Sequence, residues 1–231
     1  MILIRIYLLL LKIYLRFVHL FNRSNKTMKL YYSPGACSLS PHIIIKELNL
    51  DVDLEAVDLS THKTASGRNY FEINSRGQVP ILELDNGEII AEGPIITQYL
   101  AEKSGNKSIY PACGTLERYR VHEWQNYITS ELHKSYTPLF NPDFDVESKR
   151  LHSKILLKKY EWMNEKLKTL TFLANNHFTI ADSYFFTVTS WAEFVKLDLS
   201  HLTYLQNYLE RIAAKPSVQE ALKAEGLLSD S

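Results

Sequence analysis

Residues 28–40 read MKLYYSPGACSLS. The apolar start at 29–32 predicts a short β-strand, and Ser33-Pro34-Gly35 predicts a turn after it. A helix is expected over 38–48. Pro41 does not argue against it, because proline is tolerated in the first turn of a helix. The alternating segment 53–57 predicts a second strand, so the order strand–helix–strand indicates a parallel crossover unit.

The next segment predicts a hairpin and a second helix. Residues 59–76 are polar and punctuated, which indicates a loop with at most one short helical turn. Segments 80–84 and 88–91 predict two strands, since Asn86-Gly87 between apolar alternations is a strong hairpin signal. A helix follows over 93–104. The order βαβ-loop-ββα predicts a small α/β domain.

The second half has helical periodicity. A linker is expected over 105–114, and helices are expected over 115–138, 146–170, 179–196 and 202–214. Thr179-Ile-Ala-Asp182 has the form of a capping box before an apolar run. The sequence therefore predicts two domains, one α/β and one all-helical.

The charge and cysteine content exclude several classes of protein. The chain has 26 basic and 26 acidic side chains, but residues 1–27 hold five of the basic ones and none of the acidic ones. The remainder has 21 against 26, a net charge of −5, which argues against nucleic-acid binding. Cys37 and Cys113 lie far apart and fit a reducing compartment rather than a disulfide framework. Scattered histidines predict no metal site.

Residues 1–27 differ from the rest of the chain. Their apolar run is interrupted by charges too often for a membrane span, and it has no small-residue cleavage site. We interpret this segment as an N-terminal extension outside the fold, with Met28 as the true start. The alternative is an interfacial amphipathic helix, because Arg5, Lys12, Arg16, His19 and Arg23 fall on one helical stripe. Only that alternative predicts membrane contact.

Cys37 is the most informative residue for chemistry. It lies where a helix is expected to begin, and unpaired N–H groups and the helix dipole stabilise a thiolate there. The alternative is a small buried hydrophobic residue. Position alone leaves both interpretations open.

Two further motifs suggest a peptide-like ligand. Val79-Pro80 is either an ordinary strand start or a cis proline that exposes neighbouring backbone groups. Glu92-Gly93, at a helix start, suits the ammonium and carboxylate of an α-amino acid, although helix capping would explain it too. Asn126, Ser130, His133 and Thr137 share a helix face, which is either solvated or a polar cleft wall.

The segment 28–40 resembles the amino terminus of beta-class bacterial glutathione transferases. Three further stretches agree with that family: NSRGQVP at 74–80, ELHKSYTP at 131–138 and FTIAD at 178–182. The resemblance covers residue 28 to about 228. It implies an α/β thioredoxin-like glutathione-binding domain over 28–108 and an all-α domain over 114–231.

The resemblance also implies roles for particular residues. Cys37 contacts the glutathione sulfur and can form a mixed disulfide with it, and His133 lies near that sulfur. Val79 binds the cysteinyl backbone before a cis Pro80, and Glu92 and Gly93 hold the γ-glutamyl end. The remaining implied positions complete the glutathione site, some of them across a dimer interface: Asn126, Ser130, Glu131, Leu132 and His133. Tyr136 and Trp191 are expected in the electrophile pocket.

One position departs from the family pattern. His62 stands where relatives often have a lysine directed at the glycyl carboxylate, with Lys63 adjacent. A neutral histidine attracts a carboxylate less than lysine does, so weaker or pH-dependent glutathione binding is expected. Gly93 likewise stands where many relatives have serine, so this chain lacks one hydroxyl contact.

The implied activity is conjugation of glutathione, as co-substrate, to hydrophobic electrophiles by a cytoplasmic homodimeric detoxification enzyme without a metal. One alternative is a glutathione-dependent thiol–disulfide oxidoreductase, restricted to monothiol exchange because Cys37 has no CxxC partner. A second is a non-catalytic glutathione- or ligand-binding protein. A third is a dedicated catabolic enzyme such as a dehalogenase or isomerase.

Overall fold

A computed structural model of the chain describes residues 27–174 and 176–228. The predicted extension over 1–27 lies outside the described residues, apart from Thr27. Five strands form one sheet in the order β3-β2-β1-β4-β5: β1 (Met28–Tyr32), β2 (Val52–Asp58), β3 (Lys63–Thr64), β4 (Ile81–Glu83) and β5 (Ile89–Ala91). Strands β1 and β2 are parallel through helix α1 (Leu39–Glu47), and the β4–β5 pair is antiparallel. The α/β domain is confirmed.

The sheet has two buried faces. In β1, Leu30 belongs to the main core, which includes α1 and helix α2 (Gly93–Ser104). Its neighbour Tyr31 belongs to a smaller cluster with Tyr70, Val79 and Ile81. This alternation follows from the two-residue period of a strand. Strand β3 was not predicted, since two polar residues carry no periodic signal.

The second half is helical, as predicted. Its helices are α3 (Leu116–Tyr127), a π-helical stretch (Ile128–His133), α4 (Lys134–Phe140), α5 (Val146–Leu167), α6 (Ile180–Phe194), α7 (Thr203–Ala213) and α8 (Pro216–Ala224). The single helix predicted over 115–138 therefore has a widened turn in its middle. Helix α8 was missed, although proline in the first turn is a normal helix start.

Helix α6 lies at the centre of the helical domain and begins with the predicted capping box. The Asp182 carboxylate is fully buried and accepts four hydrogen bonds. The donors are the Thr179 backbone and hydroxyl, the Leu173 N–H and the Tyr208 hydroxyl, at 2.6 to 2.8 Å. This network ties the start of α6 to the preceding segment and to α7.

The two domains are packed together through α1, which contacts α6 and α8. The Ser40 and Ser183 hydroxyls lie 3.1 Å apart across this contact. After α8 the chain turns back, so that the buried Glu225 carboxylate reaches His42 and the Gly35 backbone. No helix within residues 27–174 and 176–228 is both long enough and apolar enough to cross a membrane.

Candidate functional site

A cavity of about 1180 Å³ opens between the β1–α1 loop, the β5–α2 junction and helices α3, α4 and α6. Sites for one drug-sized ligand span roughly 300–1,000 Å³. The cavity can therefore hold a tripeptide and a second small molecule side by side. No three His, Cys, Asp or Glu side chains among the described residues are grouped closely enough to hold a metal ion.

Cys37 lies at the cavity, two residues before α1 begins, and its thiol donates to the Val79 carbonyl at 3.3 Å. Burial of the sulfur raises the pKa of the Cys37 thiol to about 12, although the N–H groups of Cys37 and Ser38 act in the opposite direction. Of the two interpretations that the sequence leaves open, the raised pKa favours a protonated thiol over a thiolate stabilised by the helix start. Desolvation outweighs the local dipole.

The β5–α2 junction presents a carboxylate to the cavity. Glu92 has a φ of 70° and makes no side-chain capping bond, so the capping interpretation is wrong. Its carboxylate instead pairs with the Arg76 guanidinium at 2.8 Å. A non-glycine residue in this left-handed region is strained, and such strain is concentrated at functional sites. Opposite this junction the Val79–Pro80 bond is cis, as the resemblance implied.

The polar helix face predicted from the sequence lines the cavity, except that Thr129 is part of the lining and Ser130 is not. Asn126, His133 and Thr137 reach the cavity, together with Thr129. Ser130, which lies in the widened π turn, is not among the lining residues, and its hydroxyl donates to the Asn126 carbonyl at 3.1 Å. Backbone carbonyls freed in such a turn need other donors, and π turns are frequent at functional sites.

His133 is held in a defined orientation. Its Nδ1 lies 2.6 Å from the Tyr184 hydroxyl, and its ring meets Trp191 edge-on at 4.7 Å. Burial, with a contribution from Lys134, lowers the pKa of His133 to about 4. The imidazole is therefore neutral near pH 7. Because Nδ1 is engaged, Nε2 is the ring nitrogen left for a ligand.

The other half of the cavity is aromatic. Its rings come from α4 and α6: Tyr136, Phe140, Tyr184, Trp191 and Phe194. The predicted residues Tyr136 and Trp191 are thus brought together, with ring centroids 5.5 Å apart. Tyr136 presents its ring rather than its hydroxyl, which bonds to Tyr160 in the core at 2.8 Å. The Trp191 indole N–H donates to the Gly35 carbonyl, which links this aromatic wall to the cysteine loop.

His62 lies at the opposite edge of the cavity, with a φ of 51°. Its ring packs on Phe71 at 4.3 Å, and its Nδ1 is buried without a hydrogen-bond partner. Lys63 belongs to β3 and is exposed outside the cavity lining. The position that the resemblance assigns to the glycyl carboxylate is thus occupied by histidine alone.

Besides Ser130, two more expected positions, Glu131 and Leu132, do not line the cavity of this chain. Leu132 is fully buried in the core, so the contribution that the resemblance implies for it would come from its backbone. The Glu131 carboxylate pairs with Lys159 of α5 at 3.0 Å and does not line the cavity. Sequence reasoning also missed Arg76 and Tyr184. Arg76 lay within a motif that had been singled out, whereas Tyr184 lay within an apolar run and gave no signal.

Comparison with known proteins gives a consistent result. Residues 26–102 match the family model of the glutathione S-transferase N-terminal domain, and residues 127–216 match that of the C-terminal domain. The chain is 45% identical to glutathione S-transferase GstA of Escherichia coli O157:H7 over 200 residues, which is 87% of this chain and 100% of the relative.

Solved structures agree with this match. A glutathione transferase from Methylococcus capsulatus superposes with a TM-score of 0.85 at 43% identity, covering 87% of this chain and 100% of that one. The bacterial beta class glutathione S-transferase of Sphingomonas chungbukensis gives 0.84 at 40% identity, with the same coverage. A sphingomonad glutathione S-transferase complexed with glutathione gives 0.83 at 37% identity, again over 87% and 100% of the two chains.

Proposed function

Since this chain belongs to the glutathione S-transferase family, we propose that it joins the thiol sulfur of glutathione to uncharged aromatic electrophiles. The observation that carries this proposal is the composition of the cavity. One wall has the groups that bind a peptide-like ligand, and the facing wall is built from aromatic rings. A sulfur at Cys37 would lie between them.

The peptide wall suits glutathione. Glu92 offers a carboxylate to the γ-glutamyl ammonium, and Gly93 begins α2, where backbone N–H groups favour a carboxylate. Val79 lines the cavity, and its carbonyl accepts from the Cys37 thiol. The cysteinyl N–H of glutathione could donate to that carbonyl in place of Cys37, which would leave the Cys37 S–H free to donate to another acceptor. His62 and Asn126 complete this wall.

Activation of the glutathione thiol does not require a base. A histidine with a pKa of about 4 is a poor acceptor for the proton of a thiol whose ordinary pKa is about 8.5. Neutral His133 can instead donate Nε2–H to a thiolate, with Nδ1 accepting from Tyr184. The Cys37 thiol and the N–H groups of Cys37 and Ser38 are further donors. Hydrogen bonds to the charged form lower the pKa of a bound thiol.

The aromatic wall favours a planar, uncharged acceptor. Phe140 and Phe194 at the rim are at least half exposed, so part of their apolar surface is available to contact a ligand. Aromatic pairs gain about 0.5–1.5 kcal/mol beyond area burial. A ring held against Trp191 would lie beside the sulfur, because the Trp191 indole contacts the cysteine loop directly. Proximity and orientation then accelerate the attack.

Two assays on the full chain test this function. In the first, turnover of glutathione with an aryl halide is compared between the wild type and Cys37→Ser. Conjugation should persist within about fivefold, because serine keeps an O–H donor and a neutral hydrogen bond contributes about 1 kcal/mol. Cys113→Ser is the matched control, since Cys113 is exposed and outside the cavity.

The second assay measures reduction of a small mixed disulfide. Little activity is expected, since a thiol with a pKa near 12 is almost entirely protonated at neutral pH. Activity confined to this assay and lost in Cys37→Ser would contradict the proposal in favour of thiol exchange. Tight binding of aromatic ligands without turnover would instead indicate a non-catalytic binding protein.

The proposal extends to assembly and location. The resemblance to the family implies a homodimer, and Phe71, Ile95 and Trp162, each more than 40% exposed, are candidates for its contact. Ser130 and Glu131 would then be available to a partner's site rather than their own. Two free cysteines favour the cytoplasm. Light scattering of the full chain tests the dimer, and a monomeric mass at micromolar concentration would argue against it.

A further inference from the structure

The ion pair between Arg76 and Glu92 is an unusual feature of the cavity. Both residues line the cavity, their charged atoms lie 2.8 Å apart, and their side chains are 53% and 61% exposed. The backbone of Glu92 is strained, and its carboxylate is turned from the helix start toward Arg76. An anion and a cation are thus displayed next to each other to any ligand that enters.

The position of Arg76 is fixed by its loop rather than by the ion pair. Its N–H donates to the Asn74 side chain at 3.2 Å, and the Asn74 amide donates to the Gln78 carbonyl at 2.7 Å. Gly77 follows with a φ of 65°, and a Cβ there would lie 2.7 Å from the Phe71 ring. A residue other than glycine would therefore displace the loop. The arginine has a defined starting point for reaching a ligand.

The charges of this pair match those of an amino-acid head group. The γ-glutamyl end of glutathione carries an ammonium and a carboxylate on one carbon atom. Glu92 can bind the ammonium while Arg76 binds the carboxylate, for which a planar guanidinium is well suited. An exposed ion pair contributes little to stability, so exchanging it for two ion pairs with the ligand costs little.

We propose that Arg76 is the specificity-determining residue for the α-carboxylate of the γ-glutamyl group, and that it replaces the contact absent at Gly93. This inference rests on the proposed function. Gly93 has no hydroxyl to donate, yet a Cβ built there would make only ordinary contacts, at 3.6 Å from Pro80 and 3.9 Å from the Cys37 carbonyl. Serine would therefore fit, and its absence leaves Arg76 to supply the side-chain contact beside the backbone N–H groups at the start of α2. Lys134 is a second cation in the cavity lining, but it follows His133 at the sulfur end.

Calorimetric titration of the full chain tests the proposal with three ligands. They are glutathione, its analogue without the α-carboxylate (4-aminobutyryl-cysteinyl-glycine) and its analogue without the ammonium (glutaryl-cysteinyl-glycine). Arg76→Met should weaken glutathione binding about 10- to 50-fold, because a charge-assisted contact is lost. The glutaryl analogue should lose a similar factor. The decarboxylated analogue should bind wild type and variant equally within about twofold.

Two further variants sharpen the test. Arg120→Met is the matched control, because Arg120 is 54% exposed, pairs with Glu123 and lies outside the cavity lining. It should leave all three affinities unchanged. Gly93→Ser in the Arg76→Met background should recover part of the lost glutathione affinity, since the serine hydroxyl can donate to the same carboxylate.

The outcomes separate this inference from the proposed function. Wild-type protein that binds no glutathione would overturn both. Wild-type protein that binds glutathione and conjugates it, with Arg76→Met binding all three ligands as tightly, would overturn the role of Arg76 alone. An equal loss for glutathione and the decarboxylated analogue would also overturn it, because the carboxylate would then not be what Arg76 recognises. Thermal unfolding of Arg76→Met checks that the variant is folded.

Discussion

Replacement of Glu225 should impair both the stability of the chain and the cysteine loop. The Glu225 carboxylate is buried just after α8, with Oε2 accepting from the Gly35 N–H at 2.9 Å and Oε1 lying 2.8 Å from His42 Nδ1. The Gly35 carbonyl in turn accepts from Trp191 at 2.8 Å. One carboxylate near the end of the chain therefore holds a peptide group two residues before Cys37.

The magnitude follows from the donors left without acceptors. Nε2 of His42 is buried and unpartnered, so its proton is placed on Nδ1 and donated to Glu225. Glu225→Ala orphans this donor and the Gly35 N–H, at about 2 kcal/mol each, or about 4 kcal/mol in total. Glu225→Gln retains one acceptor and should cost about 2 kcal/mol. For a chain of this size these values correspond to falls in Tm of about 8–16 °C and 4–8 °C.

Thermal unfolding and steady-state conjugation of glutathione to an aryl halide measure the two effects. We expect kcat/KM to fall about tenfold in Glu225→Ala, because small displacements of positioning groups are costly. The matched control is Glu220→Gln, an exposed glutamate on α8, which should change neither quantity. If Glu225→Ala unfolded at the wild-type temperature with unchanged kcat/KM, the Gly35 contact would not be a structural constraint and the reasoning would be refuted.

Further predictions concern the helical domain. Asp182→Ala removes a buried acceptor of four hydrogen bonds and should lower the free energy of unfolding by about 3–5 kcal/mol in urea. A change no larger than that of Asp145→Ala, an exposed helix cap, would contradict it. His133→Ala should raise the apparent pKa of bound glutathione by about 1–2 units, as measured by thiolate absorbance, because a donor to the thiolate is lost. Tyr184→Phe should act in the same direction with a smaller effect. A fall of kcat/KM at low pH with a midpoint near 6.5, lost in His133→Ala, would mean that His133 becomes charged at that pH. It would contradict a neutral His133, whose lowered pKa keeps the ring uncharged down to about pH 4.

Local patterns were sufficient for most of the fold. The βαβ unit, the hairpin at Asn86-Gly87 and the capping box at Thr179 each depend on residues a few positions apart, and all three occur in the structure. The π-helical turn at Ile128–His133 was not visible, because its residues have ordinary helical character. Its carbonyls are satisfied partly by Lys159 of another helix, a contact that only the folded chain creates.

The candidate site shows the same division. Motifs at Val79, Glu92 and Asn126 predicted cavity-lining positions, because each follows from chain geometry near an element end or along one helix face. Tyr184 and Glu225 could not be predicted, since their partners are 51 and 190 residues away in sequence. The protonation state of Cys37 was left open for a related reason. The helix start is legible from sequence, whereas burial depends on tertiary packing.

The raised pKa of Cys37 also bears on which sulfur reacts. In thiol–disulfide exchange the sulfur with the lower pKa is the better leaving group. When a third thiolate attacks a mixed disulfide between Cys37 and glutathione, the bond to glutathione therefore breaks, glutathione leaves as the thiolate, and Cys37 forms a new bond to the attacking sulfur. That direction produces no catalytic turnover, because Cys37 is not released. We expect a glutathione thiol held beside Cys37, toward the open side of the cavity, to be less desolvated than Cys37 and to meet the same N–H donors. On this expectation the bound thiol ionises before Cys37 does, which is the order of acidities that conjugation requires.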